Sequence, residues 1–433
     1  MDWQVIIVLF GSFFTFLGLG VPISFAIGIA SLFTVLLSLP FDAAIAVISQ
    51  KMASGLDSFA LLAIPFFILA GNIMNQGGIA IRLIEFAKVL GGRLPGSLAH
   101  VNIIANMMFG AISGSAVASA AAVGGTMSPL QKKEGYDPAY SAAVNITSCP
   151  TGLLIPPSNT FIVYSLISGG TSIGALFLAG YIPGLLMGLS LMFVAGFIAK
   201  KRGYPVDPKP TMAVVVKKTF DALPSLGLIV VIMGGIIGGI FTATEASAIA
   251  VVYTLVLAVF FYREVSIKQL PSIILESVVT TSIVLLLIGA SMGMSWAMAN
   301  ADIPYMISDA LLAVSENPII ILLIINIALL VVGVFMDMTP ALLIFTPIFL
   351  PIAMDLGMDP VHFGIMMTFN LAIGICTPPV GSALFIGCSV AKVRIDKVIK
   401  PLLPFYAVLI LALMLVTFVP QISLTLPQLF LGY

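Results

Sequence analysis

The sequence predicts an all-α polytopic membrane protein, an inverted repeat with two re-entrant helical hairpins and two helices broken by Pro-Pro pairs. Three observations lead there. The first is composition: 60% of the chain is hydrophobic, 8% is charged, and mean hydropathy is +1.18, where a soluble domain carries about 25% charge. Its apolar runs are roughly 20 residues long, the length of a helix crossing a bilayer and not of a barrel strand. The second is a pair of breaks, Pro156-Pro157 and Pro378-Pro379, set 222 residues apart inside such runs. A double proline removes two backbone donors and stops a helix. In hydrocarbon the freed carbonyls are tolerated only where they line a cavity, so paired breaks in two halves point to a transporter's binding site. The third is charge: of 18 Lys and Arg, none falls between Lys268 and Lys392.

Taken in order, the spans run over 4–20, 22–40, 58–76, 138–168 (broken), 172–199, 222–243, 246–262, 272–298, 360–391 (broken) and 400–421. Met1-Asp2-Trp3 lacks the basic n-region of a cleaved signal peptide, so the first span is expected to be retained. Two further stretches, 97–130 and 318–354, are dense in Gly, Ser, Thr and Pro and are expected to be the hairpins. Amphipathic pieces at 78–92, 209–221 and 264–271 suit the membrane interface. The expected division is residues 1–96 as scaffold helices with an interfacial arm and 97–200 as the first hairpin and broken helix. Scaffold helices and arms follow over 201–298, then the second hairpin, second broken helix and terminal helix over 299–433.

Arg93 and Lys132-Lys133 flank the first hairpin, whereas Asp302, Asp309, Glu316, Asp355 and Asp359 flank the second. The positive-inside rule sets the first hairpin's base in the cytoplasm and the second's outside, with both termini periplasmic. Lys51 is the one misfit and is taken as interfacial. One register relates the two halves. Pro129, Gly135, Asp137-Pro138, Gly152 and Pro156-Pro157 each recur 222 residues later, as Pro351, Gly357, Asp359-Pro360, Gly374 and Pro378-Pro379. Asp before Pro is helix-start chemistry, a capping oxygen followed by a ring at the first helical position.

The candidate chemistry lies at the tips and breaks. Ser113-Gly114-Ser115 offers two hydroxyls in a small-residue tip, whose plainer reading is helix packing. Ser158-Asn159-Thr160 follows the first break, where a half-helix start would present free N–H groups to a carboxylate. Unwound carbonyls suit Na⁺. Asp337 lies deep in an apolar region, where a charge costs about 2.5–3.5 kcal/mol. It is a sodium ligand, a partner for a substrate hydroxyl or amine, or a cap before Pro340. Facing it are Thr377, Val380, Gly381 and Ser382. Glu245 reads as a loop carboxylate, and the methionines around Trp296 as packing. Enzymes are not expected. His100 and His362 have no serine-bearing partner pattern, no paired Asp motif occurs, and the three cysteines lack metal-ligand spacing. Zero formal net charge argues against nucleic acid.

Taken together, Ser113-Gly114-Ser115, Ile155-Pro156-Pro157-Ser158, Gly333 to Asp337, Thr346-Pro347-Ile348-Phe349-Leu350-Pro351 and Thr377-Pro378-Pro379-Val380-Gly381 resemble the large membrane subunit of a TRAP (tripartite ATP-independent periplasmic) transporter, the DctM family. The likeness covers nearly the whole chain, and is greatest to sialic-acid members. It implies an elevator-type importer of the bacterial inner membrane, driven by Na⁺ and needing no other cofactor. The expected partners are a small four-helix membrane subunit, a periplasmic substrate-binding protein and a carboxylate substrate, with sialic acid ahead of C4-dicarboxylates. Carried over, substrate contacts fall on Ser113, Ser115, Ser158, Asn159 and Asp337. Sodium contacts fall on Ser113, Gly114, Pro156, Asn159, Gly333, Asp337, Thr339, Thr377, Pro379 and Gly381. The first break is expected to favour substrate and the second, with Asp337, sodium. No arginine lies in the transport core, which leaves the carboxylate's counter-charge to helix starts and Na⁺. The rival expectations are a stand-alone Na⁺/dicarboxylate symporter of a related two-hairpin fold, and a channel.

Overall fold

Asp137 and Asp359 both do what the Asp-Pro pairing predicts. Asp137 accepts the Ala139 N–H at 3.0 Å and opens Pro138–Ser148. Asp359 accepts those of Val361 and His362 at 2.7 and 3.3 Å and opens Pro360–Gly374. The computed structural model describes residues 3–208, 210–378 and 381–433. All regular structure among them is helical, and eight of their helices are long and apolar enough to cross a membrane.

These two capped helices form the centre. Every residue from Tyr140 to Ser148 and from Val361 to Gly374 is buried, as expected of helices apolar on all sides. The peripheral helices instead expose Phe193, Phe197, Leu275 and Ile283, side chains suited to lipid.

Each central helix packs against a helix-turn-helix unit. Ser97–Ser113 and Ala116–Lys133 meet at Gly114-Ser115, and Pro318–Phe335 and Met338–Asp355 meet at Met336-Asp337. Glycines bring the backbones together, on the first side at the short helix Thr151–Leu154 just after the central helix and on the second at the central helix's last residue. A Cβ on Gly110 would lie 2.8 Å from the Gly152 Cα, and one on Gly374 would lie 2.6 Å from the Gly333 Cα. Both units are also tied by buried asparagines. Asn106 Nδ2 donates to Asn145 Oδ1 at 3.1 Å, and Asn370 Nδ2 to Asn326 Oδ1 at 2.9 Å. Such amide pairs satisfy polar groups that hydrocarbon cannot.

After each central helix the chain breaks. The first side has a one-turn helix, Thr151–Leu154, a cis Pro156–Pro157 bond and then Asn159–Ile167. The second resumes as Ser382–Ala391. Pro379 and Val380 lie outside the described residues.

Around this core stand Trp3–Gly18, Ile23–Val35, Ala63–Gln76, Met212–Ile237, Ala243–Leu255 and Leu270–Asn300. Three boundaries differ from expectation. The piece at 209–221 is no separate arm, because Met212–Ile237 runs as one helix through Pro224. Most of 264–271 is a short 3₁₀ turn, Ile267–Gln269, leading into Leu270–Asn300. Phe41–Leu56, Ile303–Val314 and Gln421–Leu431 are additional helices. The first carries Lys51, whose ammonium sits 5.9 Å from the centre of the Trp296 ring.

The amphipathic Ile79–Gly91 is tied down by charge. Arg82 pairs with Glu264 at 3.3 Å, and Glu85 with Lys88 at 2.8 Å and Lys218 at 3.2 Å. Partial burial opposes the Glu85 charge, but the two lysines outweigh it and hold its carboxyl below the usual range.

Candidate functional site

Four helices begin at one cavity of about 240 Å³. Gly114, Ser115 and Ala116 enter it from the start of Ala116–Lys133, and Asn159 and Thr160 from the start of Asn159–Ile167. Asp337, Met338 and Thr339 enter it from the start of Met338–Asp355, and Ser382 from that of Ser382–Ala391. The first turn of each helix has N–H groups without intrahelical acceptors, and each start carries about half a positive charge. Three of the four preceding residues, Ser158, Asp337 and Gly381, make no side-chain capping bond. Ser115 does cap, accepting the Ala118 N–H at 3.2 Å.

The turn between the first pair of helices requires glycine. Gly114 has φ +62°, and a Cβ there would also sit 3.2 Å from Asn159 Nδ2. Asn159 Oδ1 is buried without a hydrogen-bond partner, an acceptor that a cation or a donor group would satisfy. Asp337 is exposed, and it is the ionisable residue in the cavity lining. Its Oδ1 accepts from Ser382 Oγ at 3.0 Å, joining the second tip to the helix beyond the second break. The capping alternative for Asp337 is thereby set aside: its side chain bonds across the cavity and not to its own helix.

The remaining expected residues stand back from the cavity. Ser158 is fully buried, and its hydroxyl donates to the Leu153 carbonyl at 2.6 Å, closing the first break from within. Ser113 is buried, with a long bond of 3.5 Å to the Ser115 carbonyl. Pro156 lies in the break behind, also buried. Gly333 is taken up in the contact with Gly374. The Thr377 hydroxyl donates to the Ile373 carbonyl at 2.8 Å. Gly381 N–H donates to the Thr377 carbonyl at 3.2 Å, and a Cβ at Gly381 would overlap the Ile375 carbonyl. Pro379 falls outside the described residues.

Sequence reasoning set Ser382 opposite Asp337 without giving it a role, and it gave no role to four further lining residues. These are Ile64 and Ile68 on Ala63–Gln76 and Thr280 and Val284 on Leu270–Asn300. The only signal available was spacing by four residues on each helix. Glu245, by contrast, forms a capping box with Thr242: its Oε2 accepts the Thr242 N–H at 2.7 Å. Among the described residues no group of three or more His, Cys, Asp or Glu converges to hold a metal.

The family model described as "Tripartite ATP-independent periplasmic transporter, DctM component" matches residues 10–422. An uncharacterized Salmonella typhimurium protein, YgiK, is 65% identical over 99% of both chains. The sialic acid TRAP transporter large permease SiaM of Vibrio cholerae is 41% identical, covering 98% of this chain and 99% of its own. The C4-dicarboxylate TRAP large permease DctM of Pseudomonas aeruginosa is 38% identical over 93% and 94%. Among solved structures, the Alcanivorax borkumensis YdaH transporter shares the fold, with a TM-score of 0.65 and 13% identity over 87% of this chain and 88% of that one.

Proposed function

Because this chain belongs to the family of DctM components, the large permeases of tripartite ATP-independent periplasmic transporters, we propose that it is the subunit that carries an organic anion across the inner membrane together with Na⁺. The observation behind this reading is the convergence of four helix starts on one cavity whose ionisable residue is acidic. Partial positive charges at those starts favour a carboxylate without an arginine. Asp337 and the unpartnered Asn159 Oδ1 supply oxygens for Na⁺ or for substrate hydroxyl and amide donors. The substrate contacts are therefore assigned to Ser115, Asn159 and Asp337. The backbone carbonyl of Gly114 and the Thr339 side chain are assigned to sodium, while Thr377 and Gly381 support the second break. Ser113, Pro156, Ser158 and Gly333 hold the tips and breaks in shape.

Two helix-turn-helix units and two broken helices form the moving part in this reading, with the outer helices as scaffold. Matched local geometry supports an internal repeat. Gly135 and Gly357 both have positive φ, at +80° and +84°, and both Asp-Pro pairs cap helices. One charge crossing 100 mV supplies about 2.3 kcal/mol, enough to drive accumulation. The substrate proposed first is sialic acid, named for the SiaM relative, and C4-dicarboxylate second, named for the DctM relative. The proposed partners are a small four-helix membrane subunit and a periplasmic binding protein.

Uptake of N-acetylneuraminate into proteoliposomes holding this chain and both partners tests the reading. It is expected to require a sodium gradient and to be abolished in Asp337→Ala while the protein still inserts. Normal sodium dependence in that variant would remove Asp337 from the coupling site. Uptake by the chain alone would favour the stand-alone symporter, and non-saturating flux down the gradient a channel.

A further inference from the structure

Each broken helix is backed by the long helix that follows it, Ile173–Arg202 in the first half and Ile395–Phe418 in the second. The 222-residue register carries over to these backing helices. It pairs Leu154 with Cys376 at the breaks, and Gly184 with Tyr406 behind them. At the first break the backing helix packs through glycine. A Cβ on Gly180 would lie 2.2 Å from the Leu154 carbonyl oxygen, and one on Gly184 would lie 2.5 Å from Ile155 Cγ1. At the second break Tyr406 stands in the place of Gly184, and its hydroxyl donates to the Cys376 carbonyl.

That carbonyl belongs to a stretch that has left the helix. In an unbroken helix it would accept the N–H four residues on, but Pro360–Gly374 has already ended. A bare carbonyl is costly at membrane depth. Of three successive carbonyls, two are taken within the turn: the Ala383 N–H donates to that of Ile375 at 3.1 Å, and the Gly381 N–H to that of Thr377 at 3.2 Å. The one between them, on Cys376, is taken by Tyr406. Cys376 is fully buried, and its thiol donates to the Ile146 carbonyl of the first central helix at 3.0 Å. The start of the turn is therefore held by its main chain from the backing helix and by its side chain from the other half. The turn ends at Ser382, whose hydroxyl donates to Asp337 Oδ1 at 3.0 Å in the cavity.

We propose that Tyr406 is a positioning residue for sodium coupling. By holding the Cys376 carbonyl it fixes the turn that delivers Ser382 to Asp337, and so sets the sodium affinity of a cavity it does not itself line. The first half needs no counterpart, because glycine lets its backing helix press directly on the break. This inference rests on the import reading above.

The test is sodium binding by the purified full chain in detergent, read as the rise in melting temperature when Na⁺ replaces choline. It needs neither partner nor uptake. The native chain is expected to show a saturable rise. No rise in the native chain would sink the import reading and this proposal with it, whereas the variants decide on Tyr406 alone. Tyr406→Phe keeps the ring and is expected to raise the Na⁺ midpoint about tenfold, the size of one lost hydrogen bond. Tyr253→Phe is the structural control, since that hydroxyl donates to the Pro224 carbonyl at 2.7 Å between two outer helices. Its midpoint is expected to stay native even if its baseline melting temperature falls. A native midpoint in Tyr406→Phe, with only the baseline lowered, would overturn the proposal. Because Tyr406 acts through Ser382, the double variant with Ser382→Ala is expected to shift the midpoint about tenfold, as Ser382→Ala does alone, and not a hundredfold. Additive shifts would also overturn it. Tyr406→Met, which fills similar space without a donor, replaces Tyr406→Phe if that protein does not fold.

Discussion

At single residues, two serines that look alike in sequence do different things. Ser382 Oγ donates to the Asp337 carboxylate at the cavity, while Ser158 Oγ donates to the Leu153 carbonyl inside the break. Hydrogen bonds to charged groups are worth about 1.5–3 kcal/mol. Ser382→Ala is accordingly expected to weaken sodium-dependent uptake about tenfold, 1.4 kcal/mol being a factor of ten, and to leave the melting temperature nearly unchanged. Ser158→Ala is expected to act oppositely. It leaves a buried carbonyl without its donor, lowers stability by about 1–3 kcal/mol, and appears first as a fall in melting temperature in detergent. Unchanged melting with lost substrate affinity would return Ser158 to the list of direct contacts.

At the level of elements, glycine decides how closely each tip approaches its broken helix. The Gly110–Gly152 and Gly333–Gly374 contacts leave no room for a methyl group, and the atoms in the way are backbone. Overpacking of this kind costs about 1–3 kcal/mol. Gly152→Ala and Gly374→Ala are each expected to lower thermal stability by that amount and to pull the tips away from the cavity. Gly125, with nothing near its hypothetical Cβ, is the control, and equal losses in Gly125→Ala would refute the close-approach argument. The helix starts were legible in sequence where the signal is local. Asp137-Pro138 and Asp359-Pro360 are caps within two or three residues of what they cap. Met212–Ile237 was not, because its amphipathic start reads as an interfacial piece separate from the apolar span at 222–243, although one helix runs through both.

For the whole molecule, the orientation of the two halves is the property on which transport depends. Lys132 beside the first hairpin and the acidic residues around Gly357 beside the second predict opposite sides of the membrane. Cysteines placed at 132 and 357 are expected to be labelled from the cytoplasm and from the periplasm respectively. Labelling of both from one side would end the inverted-repeat reading. Family membership was also legible, since the motifs quoted from the tips and breaks occur in a chain that the DctM model matches over residues 10–422.

Sequence alone determined what depends on neighbours along the chain. Apolar runs form helices long enough for a bilayer, the Pro156-Pro157 pair interrupts its helix, and Asp-Pro starts helices. Only tertiary structure decided which residues meet at the cavity. Asp337 and Ser382 are 45 positions apart, and Asn72 and Ser277 are 205 apart. It turned Ser158 and Thr377 toward backbone carbonyls, and it brought Thr280 to the cavity from a helix with no motif. The physical reason is that side-chain direction at a helix break depends on packing between distant segments, and no local propensity encodes it.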